Sequence, residues 1–571
     1  MCGIHVVVCP VAATPPTTAP HQTSRLRKRG PDHVGCERVS LCATWIVSCT
    51  STVLALRGDH TAQQPLVGPD RDHILCWNGE AWRFRGHVVP GNDGDAIFDR
   101  LRQASGATSQ PGRTAEAVLD VLRAIEGPFA FVFLHRPSQT LFFGRDRLGR
   151  RSLLLSLDDE TPTRMTLSSI AESCSPAWQE VAADGIYAVS LSCPAGSNPS
   201  PTLPRPVRYV WLPPDEHRVL SLAKFCMSLP VASSSPALTA QSASVRLLKE
   251  HLTEAIRSRV LNIPQPPLLS HVPAIPRDNR VAVLFSGGLD CTVLARLTHD
   301  LLHPDQGIDL LNVAFENPRV AAQLERQSAL GSSAVYEACP DRITGRKSLR
   351  ELARTCPGRD FRFIAVNVPY TESVAHRSEV LSLMFPHQTE MDLSIAYALY
   401  FAARGQGLST EEADSSAAPV PCTTSARVLL SGLGADELFG GYSRHGAAFD
   451  QRGYAGLVDE LKLDVSRLGQ RNLGRDDRVM AHWGREPRFP YLAEPLVTWA
   501  MGTPAWEKCD FEHGEERTGV EAAKRVLRLL ALELGMPGVA KEKKRAIQFG
   551  ARTAKMESGR VKGTTVVSRG P

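Results

Sequence analysis

Short apolar runs alternate with turn residues through the first two hundred positions of the chain. HILCWNG, AFVFLHR and TLFFGRD have the length and spacing of strands. TAEAVLDVLRAIEGP puts its apolar residues at helical spacing and meets breakers at Gly127 and Pro128. Between residues 193 and 241 the pattern lapses into CPAGSNPSPTLPRPVR and SLPVASSSPALTAQS, a Pro/Ser-rich composition typical of linkers and surface connections. SVRLLKEHLTEAIRSRVL then returns to a helical period. From residue 280 the runs come in strand–helix order: VAVLF, CTVLARLTHDLL, DLLNVAF, and later RVLLSG before another loop and helix. That order predicts a parallel sheet with crossover helices. GQGLSTEEADSSAAPVPCTTS is low in complexity and reads as a loop. No internal repeat appears. The pattern predicts a β-rich domain over residues 1–215, a linker over 216–244 and an α/β domain over 245–571.

Composition adds limits. A chain of 571 residues exceeds one domain at about 100–200 residues each. Apolar residues at 43% and charged residues at 22% are ordinary for a globular protein. A net charge of +5, from 65 basic and 60 acidic side chains, gives no argument for nucleic acid as a partner. The 14 cysteines include no CxxC pair, so the usual zinc spacings are absent and most of the thiols read as buried and reduced. MCGIHVVVCP lacks the basic start of a signal peptide. LCATWIVSCTSTVLAL is too rich in Ser, Thr and Cys, and too short, for a bilayer span and predicts strand pairs. The expectation is a soluble cytoplasmic protein without a membrane partner; nothing in the pattern specifies an oligomeric state.

Two stretches carry candidate chemistry. The chain begins MCGI, and removal of Met1 would leave Cys2 with a thiol and a free α-amine on one carbon. Such an amine titrates near pH ~8 and can serve as base for its own thiol. An inert Cys2 behind a retained Met1 is the other reading, and four letters leave both open. In VAVLFSGGLDCT a buried strand ends on Ser286, Gly287 and Gly288 just before a helix. Exposed N–H groups at the helix start, the helix dipole and the Ser286 hydroxyl make an anion site. Asp290 in the first turn suits Mg²⁺ held against phosphates. GxxxxGK[ST] does not occur, and GLGADE (Gly432 to Glu437) has Glu437 where a dinucleotide fingerprint needs its third glycine.

The SGGLD placement resembles the SGGxDS loop of ATP pyrophosphatases, which hold the pyrophosphate of ATP while a carboxylate is adenylated. Four further stretches resemble asparagine synthetases. LLSGLGADELFGGY is similar to their SGEGxDE signature; GRDDRVMAHWGREPRFPYL, MDLSIAYALYFAARG and KEKKRAIQFGARTAKME match later ones. The resemblance covers most of residues 245–560 and is greatest to the asparagine synthetase domain-containing subgroup. At the N-terminus, CGI, RGPDHVG, CWNGEAW and GNDGDAI resemble, in order, the motifs of class II glutamine amidotransferases.

The resemblance implies an N-terminal-nucleophile (Ntn) type glutaminase β-sandwich flanked by helices, followed by a parallel-sheet ATP pyrophosphatase domain. It implies Cys2 as nucleophile, with the Asn78 side-chain amide and Gly79 N–H as oxyanion hole. Arg29, Asn78, Gly79, Glu80 and Asp93 would bind glutamine. Phe285, Ser286, Gly287, Gly288, Asp290, Val313, Ser431 and Gly432 would bind ATP, and Asp290 and Asp436 would hold Mg²⁺. The implied reaction is glutamine hydrolysis, adenylation of aspartate and its amidation to asparagine, with AMP and pyrophosphate released. ATP and Mg²⁺ are the implied cofactors; glutamine and aspartate or another small carboxylate are the partners.

Four departures stand out. Leu433 occupies the place of a glutamate near the acyl-adenylate, Cys291 replaces the loop serine, and Ala493 replaces an aspartate. The arginine that pairs with the α-carboxylate of glutamine would fall near Val53, with Arg57 four residues on. Two alternatives therefore accompany the leading reading: amidation of a different carboxylate, or a catalytically impaired ATP- and glutamine-binding regulator.

Overall fold

The structure is a computed structural model. It describes residues 1–11, 20–42, 44–106, 110–157, 163–192, 202–213, 215, 218–230, 237–264, 279–327, 334–409, 418–515, 519–556 and 562–567. They divide into two compact units: residues 1–216 with 382–387 and 468–485, and residues 217–381, 388–467 and 486–571.

The first unit is built on two antiparallel six-stranded sheets. From edge to edge, one runs Trp178–Glu180, Leu154–Leu157, Met165–Ser168, Gly3–Pro10, Trp45–Val53 and His33–Leu41. The other runs Val207–Val210, Gly185–Ser190, Thr140–Arg145, Phe129–His135, His73–Gly79 and Leu66–Val67. The period of two sorts their side chains. On His73–Gly79, Ile74 and Cys76 join Ile4, Val6, Val8 and Val47 in the core between the sheets. Leu75 and Trp77 face the other way and pack with Ile97 and Leu101 of helix Asp93–Ser105 and Val118 and Leu119 of helix Pro111–Arg123. Helix Pro20–Arg29 lies against the first sheet, where Leu26 is buried. This is the helix-flanked sandwich expected of an Ntn-type domain. The stretch LCATWIVSCTSTVLAL, expected to form paired strands, holds strand Trp45–Val53, hairpinned against His33–Leu41. No helix among the described residues is long and apolar enough to cross a membrane.

The second unit has one seven-stranded sheet in the order Val420–Thr423, Gln406–Ser409, Phe361–Val368, Ile308–Phe315, Val281–Leu284, Val428–Leu430, Glu486–Arg488. The last five are mutually parallel; the first two are antiparallel. Ile308–Phe315 is buried at every position, as a parallel strand covered on both faces must be. Helices Leu289–Leu301, Pro340–Thr355 and Glu390–Arg404 accompany the sheet. Chain order reverses on either side of Val281–Leu284, which places the loops after it and after Val428–Leu430 side by side at a topological switch point.

The low-complexity stretch expected to be a loop behaves differently at its ends. Gln406–Ser409 and Val420–Thr423 form an antiparallel pair on the edge of this sheet. A sheet edge offers unpaired backbone groups, so even polar chain is recruited through its backbone. Residues 410–417 lie outside the described residues, as do 193–201 and 231–236 of the Pro/Ser-rich stretches. Between the latter, Phe225 is buried and Cys226 N–H donates to the Met501 carbonyl, so part of the connection is docked on the second unit.

Candidate active sites

In the first unit Cys2 directly precedes the central strand Gly3–Pro10. Its backbone N–H donates to Asn78 Oδ1 at 3.2 Å. Gln64 Nε2 lies 3.9 Å from Cys2 Sγ, and Gln64 Oε1 accepts from Trp77 N–H at 2.8 Å. Arg29 Nε donates to the Cys2 carbonyl at 3.4 Å. The nucleophile candidate is thus fixed from three directions. Asn78 is fully buried, and its Nδ2 has no hydrogen-bond partner among the described residues. A buried donor without a partner costs about 1–3 kcal/mol. It is also a donor ready for an oxyanion, should a ligand bring one. Gly79 follows on the same strand; a Cβ there would stand 2.6 Å from Phe129 Cβ and 2.7 Å from the Pro128 carbonyl.

The other glutamine-site candidates cluster around Arg57. Asp93 Oδ2 accepts from Ala81 N–H at 2.8 Å and Trp77 Nε1 at 3.2 Å. Burial pushes the Asp93 carboxyl up, against the pull of the Arg57 charge. Arg57 stands 3.6 Å from Glu80 Oε2, donates to the Ala81 carbonyl at 2.9 Å and to that of Val89, and lies over the Trp82 ring. Arg57, four residues on from Val53, is therefore already engaged beside Glu80. Arg29 pairs with Asp477 at 2.9 Å, both fully buried. Gln64 lies outside the motifs of the sequence reading, and Asp477, although within GRDDRVMAHWGREPRFPYL, was given no role there.

In the second unit the strand Val281–Leu284 leads through Phe285 into Ser286, Gly287 and Gly288, and helix Leu289–Leu301 follows. Gly287 has φ +80°, and a Cβ on it would stand 2.4 Å from Gly345 N, so only glycine fits. Ser286 Oγ accepts from Gly288 N–H at 3.3 Å. Asn312 Nδ2 donates to the Phe285 carbonyl at 2.8 Å and braces the strand end. Cys291 turns its thiol onto the Gly288 carbonyl at 3.3 Å, and burial pushes that thiol up. A Cβ on Gly432 would meet Asp290 Cβ at 2.9 Å, which shows how closely the Ser431–Gly432 loop abuts this one. Phe285 and Val313 are buried.

Charge organises the loop mouth. Lys524 Nζ donates to Asp290 at 2.9 and 2.7 Å and lies 2.7 Å from Asp436 Oδ1. Lys544 Nζ reaches Asp436 Oδ2 at 2.8 Å. Facing two ammonium groups, Asp436 is held down at about 2 despite its burial. Burial pushes Asp290 up, with Lys524 opposing and Asp436 adding to it. The two carboxylates fit the hard-oxygen donors Mg²⁺ takes, since it uses one or two carboxylates besides phosphate oxygens. Asp290 and Asp436 would be the residues to hold Mg²⁺, and Lys524 contacts both of them. Lys524 and Lys544 were missed as site residues: single lysines in helical or basic runs look like solvated surface.

Leu433 is half-buried, with its N–H 3.4 Å from Ser431 Oγ. Glu437, one helical turn on, receives the Tyr442 hydroxyl, and burial pushes its carboxyl up. Ala493 stands at the N-cap of helix Glu494–Gly502. An aspartate at such a place would cap the helix, which makes that departure one of stability, worth about 1 kcal/mol.

Comparison with known proteins agrees with this layout. The glutamine amidotransferase domain model matches residues 1–189, and the asparagine synthase model matches residues 422–459 and 450–563. The mouse asparagine synthetase domain-containing protein 1 is 32% identical over 95% of this chain and 95% of its own length. The yeast asparagine synthetase domain-containing protein YML096W is 30% identical over 94% of this chain and 89% of its own. The Drosophila protein CG17486, described in the same terms, is 29% identical over 97% of this chain and 98% of its own.

Proposed function

The chain belongs to the family of asparagine synthetase domain-containing proteins, and from that premise we propose that it is an ATP-dependent glutamine amidotransferase that converts aspartate to asparagine. The glutaminase half is residues 1–215, joined through 216–244 to a synthetase half over 245–571. The observation that carries the reading is the Cys2–Asn78 pair: the carboxamide oxygen takes the Cys2 N–H, and its buried NH₂ has no partner among the described residues.

With Met1 removed, the Cys2 α-amine takes the place of the amide N–H and accepts the thiol proton. The sulfur attacks the side-chain carbonyl carbon of glutamine. Asn78 Nδ2 and Gly79 N–H stabilise the oxyanion. Ammonia leaves, and water cleaves the thioester to glutamate. Glu80 and Asp93 hold the α-amino group; Arg57, engaged beside Glu80 and on the Ala81 and Val89 carbonyls, would have to leave those partners to meet the α-carboxylate.

In the synthetase half the Ser286–Gly288 loop and the start of helix Leu289–Leu301 cradle the phosphates of ATP, with Phe285, Val313, Ser431 and Gly432 around the nucleotide. The aspartate carboxylate displaces pyrophosphate from the α-phosphorus, ammonia attacks the acyl carbon, and AMP leaves. Lys524 and Lys544 supply positive charge where pyrophosphate develops. Mg²⁺, when bound, would be held by Asp290 and Asp436 and would neutralise phosphate charge.

The test has three parts: intact mass for loss of Met1, glutamate release from glutamine, and aspartate-dependent pyrophosphate release with asparagine formation. Purified protein that turns over neither glutamine nor ATP refutes the proposal. Leu433 favours one second reading: an apolar side chain beside the acyl site accommodates a carboxylate other than aspartate. Screening acids for ATP–pyrophosphate exchange decides it; exchange with aspartate alone removes this alternative.

A further inference from the structure

The stretch GRDDRVMAHWGREPRFPYL resembles a synthetase signature, yet its residues 474–485 belong to the first unit. Asp477 there is fully buried. One of its oxygens, Oδ2, accepts from Arg29 at 2.9 Å and from Ser152 N–H at 3.2 Å. Both donors lead to the same place. Arg29 Nε donates to the Cys2 carbonyl at 3.4 Å. Ser152 Oγ donates to the Ser169 carbonyl at 2.9 Å, and Ser169 Oγ accepts from Ile4 N–H at 3.0 Å while its own N–H donates to the Ile4 carbonyl at 2.8 Å. Arg29, Ser152 and Ser169 are all fully buried. A single carboxylate oxygen thus anchors two hydrogen-bonded branches that grip the backbone on either side of Gly3.

We infer that Asp477 is a positioning residue for the nucleophile: through Arg29 and Ser152 it fixes the backbone of Cys2–Ile4 and so sets where the Cys2 sulfur stands. The inference rests on the reading of Cys2 as a glutaminase nucleophile. Asp477 touches neither Asn78 nor the Asp93 and Glu80 cluster by any hydrogen bond described above, so its loss should move the sulfur and spare the glutamine contacts other than that expected of Arg29. Small displacements of a reacting atom cost about 10²-fold in rate. A generic structural ion pair would instead lower stability and leave the kcat-to-KM split unchanged.

The test compares the full-length wild-type chain with Asp477→Asn. The variant is expected to lower kcat for glutamine hydrolysis by about 10–100-fold with KM within about 3-fold. Amide hydrogen exchange at Gly3 and Ile4 should speed up by about tenfold or more, with exchange across Val281–Leu284 unchanged. Unchanged exchange at Gly3 and Ile4, or faster exchange throughout the first unit with kcat and KM moving together, overturns the inference. Should Asp477→Asn not fold, Ser152→Ala removes the hydroxyl that links the second branch to the Ser169 carbonyl and must by itself speed exchange at Ile4; if it does not, the inference falls. A wild-type protein without glutaminase activity refutes the proposed function, and the exchange measurement still decides whether Asp477 holds Cys2–Ile4.

Discussion

Lys524 donates to both carboxylate oxygens of Asp290, at 2.9 and 2.7 Å, across 234 positions of sequence. The same ammonium touches Asp436. Its removal would leave two acids side by side, with Lys544 in contact with Asp436 alone of the two.

Lys524→Met is therefore expected to destabilise the protein by about 2 kcal/mol, because a largely buried charge pair loses its partner. On the proposed function it also lowers pyrophosphate release by about 10²-fold or more. Urea unfolding and a pyrophosphate assay check the two effects separately. A variant as stable and active as wild type would show that the ammonium serves neither.

Asn78→Asp keeps an acceptor for the Cys2 N–H but removes the unpartnered donor. Glutamine hydrolysis should lose about 10²–10³ in kcat with little change in KM. Steady-state kinetics on glutamine measures this. A rise in KM with kcat unchanged would place Asn78 in ground-state binding instead.

Leu433→Glu restores an acid at the loop beside Ser431 and Gly432. If a missing acid limits amidation of aspartate, the variant should form asparagine about 10²-fold faster than wild type. Product formation with saturating ammonia isolates this step from the glutaminase. An unchanged rate would show that the apolar residue is not what limits the reaction.

His135 is fully buried, and its Nδ1 accepts the Ser138 N–H at 3.2 Å, which requires the neutral ring. Burial, with the tilted His73 ring 5.0 Å away adding to it, lowers its pKa from 6.5 to about 4. The unfolded state then binds the proton first as pH falls. The stabilisation from this residue is complete above pH 6.5 and is lost as pH falls toward about 4, amounting to about 3 kcal/mol. His135→Phe should flatten the stability–pH curve within that window, as measured by urea midpoints from pH 7 to 4. A curve as steep as that of wild type would assign the acid sensitivity elsewhere.

Local pattern carried much of this protein. HILCWNG already contained the strand His73–Gly79, because alternating side chains must face two different cores. VAVLFSGGLDCT already contained strand, glycine turn and helix, because only glycine takes the φ of Gly287 against Gly345. The order of CGI, RGPD and NGE pointed to Cys2 and Asn78 before any geometry was known. What tertiary structure alone decided is which distant charges meet. Arg29 and Asp477 lie 448 residues apart, and nothing in GRDDR marks its second aspartate as a support for the first strand. Gln64 bridges Trp77 N–H and the Cys2 sulfur from a loop with no periodicity of its own. Propensity and period act over a few residues along the chain. Pairings such as Lys524 with Asp290 are fixed by how sheets and helices pack, where a buried charge must find its partner or not be buried at all.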